Sequence, residues 1–70
     1  MTHKIKFQNK TYTVIEVQDA GDPAIIKYRA KVKNSKGEEF TFVHSLTGFH
    51  LYNEKDQRIA ETTSVQEWDV

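Results

Sequence analysis

The chain contains no cysteine. No disulfide can brace it, and a zinc–thiolate centre is excluded. Nothing points to an oxidising compartment either. Long apolar runs are also missing. The opening residues, MTHKIKFQNK, hold no stretch of signal-peptide type, and no segment approaches the ~20 apolar residues of a membrane-spanning helix. A soluble cytoplasmic protein with no membrane association is expected. Proline occurs once and glycine three times, so breaks in regular structure are few and can be placed. Strong helix formers are scarce, Ala and Leu together numbering six.

What is present suits strands. Val, Ile and Thr number 18, and Phe, Tyr and Trp add eight. Branched and aromatic side chains fit a pleated, half-buried surface. Seventy residues make one domain, residues 1–70, and a chain this short buries only about 60% of its unfolded surface, so its stability is marginal. Small cysteine-free β proteins of this size are common in phage and mobile elements. An all-β domain is predicted, with at most one short terminal helical turn.

Three hairpins are predicted. In HKIKFQNKTYTVIEVQ a turn at Asn9-Lys10 pairs Phe7 with Tyr12 and Ile5 with Val14. Ile15 and Val17 are out of phase with Tyr12 and Val14, which calls for a strand apolar on both faces or for a bulge. DAGDPA, residues 19–24, reads as a loop. In the second hairpin Ser35-Lys36-Gly37 forms the loop, with Gly37 left-handed. It pairs Lys33 with Glu39, Val32 with Phe40, Lys31 with Thr41, Ala30 with Phe42 and Arg29 with Val43. The third places a loop at Glu54-Lys55-Asp56 and pairs Leu51 with Ile59 and Tyr52 with Arg58. The tail ETTSVQEWDV reads either as a capping box at Ser64 or as a strand with Trp68 and Val70 inward, closing the core. Five or six antiparallel strands in so small a sheet escape exposed edges by curling, which predicts a small SH3-like or OB-like barrel.

Charge is balanced overall, ten basic residues against ten acidic, but unevenly distributed. Residues 1–36 carry a net +5 and residues 37–70 a net −5. Lys27, Arg29, Lys31 and Lys33 alternate with Ile26, Tyr28, Ala30 and Val32, so period-two phasing puts four cations on one face. Lys4 and Lys6 join them from the first strand. Within the second hairpin only Lys33 meets a carboxylate.

No catalytic constellation emerges. His44 and His50 lack metal-ligand spacing for a strand, and His44 is expected inward opposite Tyr28. His44 and Ser45 are adjacent in a strand and point to opposite faces, so they cannot work as base and nucleophile. The glycines are isolated and form no phosphate-cradling loop. A pocket of ~300 Å³ or more has little room in so small a domain. No enzyme, cofactor or metal is expected. The run FTFVHS, residues 40–45, resembles a short piece of the cold-shock domain, in which an aromatic and a histidine share a base-stacking face. The glycine–aromatic stretch that accompanies it there is missing, so the likeness assigns no family. It asks whether Tyr28, Phe40 and Phe42 are core or platform.

The expected function is a non-enzymatic binding module: an adaptor, inhibitor or accessory protein. Its partner-binding residues are Lys27, Arg29, Lys31, Lys33, Lys4 and Lys6, facing an acidic protein surface. The alternative is nucleic acid contacted through the same face, against which stand the zero net charge and a pI near 6.8. A duller outcome is that the cations pair with Glu61, Glu67 or Asp69, or with a second copy of the chain in a homodimer.

Overall fold

The computed structural model describes residues 2–19, 21–22 and 24–70. Ala20 and Pro23 of the 19–24 loop lie outside the described residues. Seven strands are described: β1 His3–Phe7, β2 Lys10–Gln18, β3 Ile26–Lys33, β4 Glu39–Ser45, β5 Gly48–Tyr52, β6 Arg58–Thr62 and β7 Gln66–Asp69. That is one more than the three hairpins supply, because the tail is a strand. No helix occurs among the described residues, so the capping-box alternative is not realised and no helix is long and apolar enough to cross a membrane.

All ladders are antiparallel, in the order β6-β5-β4-β3-β2-β1-β7. The meander curls into a half-barrel that leaves β6 and β7 as its two edges. Gln8 Nε2 spans the seam, donating to the Glu61 carbonyl at 2.9 Å.

The second hairpin has the predicted register throughout, from Arg29–Val43 to Lys33–Glu39, with Gly37 at φ +83°. Asn34 closes it, its backbone N–H donating to the Glu38 carbonyl at 3.0 Å. The first hairpin turns one residue earlier than predicted. Gln8 and Asn9, at φ +49° and +69°, form the turn, so Phe7 meets Lys10 and Ile5 meets Tyr12. Both registers keep Ile5, Phe7 and Tyr12 on one face, so the apolar pattern cannot separate them. The bulge anticipated in β2 falls at Ile15, between Val14 and Glu16. In the third hairpin Asp56 is left-handed at φ +60° and Tyr52 pairs with Arg58, as predicted. A bulge at Ile59 then moves the partner of Leu51 to Ala60.

The inner face holds one core: Ile5, Phe7, Tyr12, Ala30, Val32, Phe42 and Leu51, with Val14, Tyr28, Phe40, Phe49, Ala60 and Val65 packed around it. Phe42 is 1% exposed and meets Phe7 edge-on at 6.3 Å. Phe42 is therefore core, and Tyr28 and Phe40 are half-buried against it on the inner face. Trp68 is not core. It is 38% exposed, and Val70 is exposed as well. The reason lies in phase: Val65 packs on the core, so residues 65, 67 and 69 face inward and Trp68 falls on the outer side, paired with Lys4.

Candidate functional site

The outer face presents the cations. Period-two alternation and the ladders place Arg29, Lys31 and Lys33 there on β3, with Lys4 and Lys6 on β1. The predicted alternation breaks at the start of β3: a register shift between Ile26 and Tyr28 sets Ile26 on the outer face opposite Ser45, and Lys27 within the shift is exposed. Ion pairs among the described residues are few: His3 with Glu67 and Asp69, Lys31 with Glu39, and Arg58 with Glu61. Lys31, not Lys33, therefore takes the hairpin's carboxylate, reaching diagonally to Glu39 at 3.0 Å. That hydrogen bond holds the Lys31 ammonium above its ordinary pKa. Of the carboxylates expected to answer the cations, Glu67 and Asp69 are on His3 and Glu61 is on Arg58. Lys4, Lys6, Lys27, Arg29 and Lys33 make no ion pair among the described residues.

One cross-strand row stands out. Gln18, Arg29, Val43, His50 and Glu61 lie side by side across β2, β3, β4, β5 and β6. Val43 is buried although it faces outward. Three buried polar atoms are without a hydrogen-bond partner among the described residues: Gln18 Oε1, Arg29 Nε and His50 Nδ1. All three belong to this row. Their concentration in one row marks where polar groups of the outer face are left without a protein partner.

Above the row the face is not flat. The 34–38 and 53–57 loops rise on either side of an open groove of about 680 Å³, lined by Arg29, Lys31, Glu38, Thr41, Asn53 and Asp56 among others. The barrel interior is filled, as a small core requires, and the space arises outside it between loops.

Sequence reasoning missed one contact set. His50, only 5% exposed, places Nε2 3.0 Å from Ser45 Oγ and 3.1 Å from Thr47 Oγ1. The signal was available, since Ser45 pairs with Gly48 across a two-residue turn and His50 is two residues further on the same face. The contacts tie down the turn. His44 faces inward opposite Tyr28, stacked on Phe49 at 4.2 Å, while Ser45 faces out.

At the opposite end of the sheet His3 bridges two carboxylates of β7. Nδ1 is 2.8 Å from Asp69 and Nε2 is 2.9 Å from Glu67. The hydrogen bonds to Glu67 and then Asp69 raise the His3 pKa above 6.5. Burial raises the Tyr28 hydroxyl, and Glu67 adds to it.

No protein-family model, curated protein or solved structure matches the chain.

Proposed function

We propose that the protein is a non-enzymatic binding module whose basic outer face, on β3 and β1, binds an acidic surface of another protein. The observation that carries this reading is the uncommitted charge. Lys4, Lys6, Arg29 and Lys33 share one face of the sheet, with Lys27 exposed at its end, and none makes an ion pair among the described residues. Such a surface steers an oppositely charged partner and fixes its register. We also read the curled sheet as a small barrel of SH3-like or OB-like type. Its support is seven short antiparallel strands around one core.

A phosphate backbone fits this face less well than a protein does. Glu16 lies opposite Lys31, and Glu38, Glu39, Glu54 and Asp56 line the adjoining groove. A uniform run of phosphates meets repulsion there, whereas a protein surface can set a cation of its own opposite these carboxylates.

The test is a fluorescence-anisotropy titration with labelled polyglutamate and with labelled single- and double-stranded oligonucleotides, at low salt and at ~200 mM. Polyglutamate is expected to bind at low salt, weaken with added salt and fail to bind Arg29→Glu. Tighter binding of an oligonucleotide than of polyglutamate would move the assignment to nucleic acid. Binding of neither would remove it.

A further inference from the structure

A second cavity adjoins the groove. It measures about 250 Å³ and is walled by Ile26, Val43 and Tyr52. Arg29, Thr41 and Asp56 line both spaces, so the two are one continuous channel on the outer face. It follows β4 from Val43 to Glu39. The four steps between those five residues span about 13 Å, the reach of a short extended peptide.

The lining changes character along that path. One end is apolar, with Ile26, Val43 and the Tyr52 ring. The Arg29 guanidinium stands where the two spaces meet, without a hydrogen bond or ion pair among the described residues. The other end is acidic. Glu39 there is held by Lys31 and Glu38 accepts from Asn34, whereas Glu54 makes no ion pair among the described residues; Asp56, likewise without one, borders both spaces beside Arg29. A uniformly acidic ligand suits only the middle of this channel.

We infer that the channel takes an extended peptide segment of the partner that carries an acidic residue beside an aliphatic or aromatic one, with a basic residue further along. The carboxylate pairs with Arg29, whose planar fork suits bidentate contact. The apolar neighbour fills the pocket of Ile26, Val43 and Tyr52. The basic residue meets Glu54 and Glu38. Arginine and tyrosine, both of which border this pocket, are residue types enriched among those that dominate binding energy at interfaces. This inference rests on the protein-binding reading and narrows it from a surface to a linear motif.

A random heptapeptide library displayed on phage, selected in parallel on the wild type and on Arg29→Gln, Lys10→Gln and Glu54→Lys, tests it. All four proteins are first checked for folding by circular dichroism. The wild type is expected to enrich the acidic–apolar pair with a basic residue beyond it. The synthetic consensus peptide should lose about tenfold in affinity or more for Arg29→Gln. It should be nearly unchanged for Lys10→Gln, which removes one positive charge from an exposed position outside both the channel and the basic face. Glu54→Lys is expected to select peptides without the basic residue, and it keeps the test open if Arg29→Gln does not fold. Enriched peptides without the pattern, no enrichment, or equal losses for Arg29→Gln and Lys10→Gln would overturn the inference. If polyglutamate still binds in that case, the broad basic-face reading survives. If it does not, both fall.

Discussion

At the scale of single residues, the chain places its few special side chains where backbone or charge demands them. Gly48 opens β5 at φ +131°, and a Cβ there would sit 2.8 Å from the Thr62 carbonyl oxygen. Both the conformation and the space exclude a side chain. Gly48→Ala is expected to destabilise the fold by ~1–3 kcal/mol, read from the midpoint of urea unfolding. An unchanged midpoint would mean that the β5–β6 approach is looser than described. Arg29 differs from its lysine neighbours in being half-buried and uncommitted. Its position on the outer face is legible from alternation alone. Its lack of a partner is not, because that depends on which carboxylates reach it across three strands. The same holds for the Ser45–His50 contact, which joins residues that alternation places on one face without saying how near they come.

At the scale of elements, legibility follows how many signals agree. In the second hairpin Gly37, the alternation of Tyr28, Ala30 and Val32, and the phenylalanines Phe40 and Phe42 all specify one register, and that register forms. In the first hairpin the apolar pattern permits two registers of equal parity, and only turn geometry at Gln8-Asn9 decides. The last strand carries two competing apolar sets, Val65 against Trp68 and Val70. The tie is broken by His3, which holds Glu67 and Asp69 on the inner side, a long-range pairing that no local pattern shows. That clasp gives β7 a pH dependence. The His3 pKa is raised in the fold, so its contribution is fully present below pH 6.5 and is lost as pH rises through the raised value. Denaturation series on wild type and His3→Gln should show a difference in stability below that window that shrinks above it. A difference independent of pH would show that His3 acts by packing alone.

At the scale of the whole molecule, one alternation divides the chain into an apolar interior and a charged exterior. Phe42 and Trp68 test the division from its two sides. Phe42→Ala removes a side chain 1% exposed and is expected to cost ~3–5 kcal/mol, enough to unfold a domain of this size. Trp68→Ala removes a larger one from the outer face and should cost far less, about 1 kcal/mol or under. Equal losses in thermal melts would mean that β7 has the opposite phase. The groove on the exterior is not visible in the sequence, because it is made by two hairpin loops that alternation does not orient. The cations beside it are visible, because alternation alone exposes them.

The central claim is that the outer face of β3 is where a partner binds. Amide chemical-shift mapping of ¹⁵N-labelled protein titrated with polyglutamate tests it most directly. The account predicts that shifts concentrate at residues 27–33 and at Thr41 and Val43 across the ladder, and that they vanish in Arg29→Glu. Shifts confined to the seam between β6 and β7, or spread evenly over every exposed lysine of the chain, would contradict it.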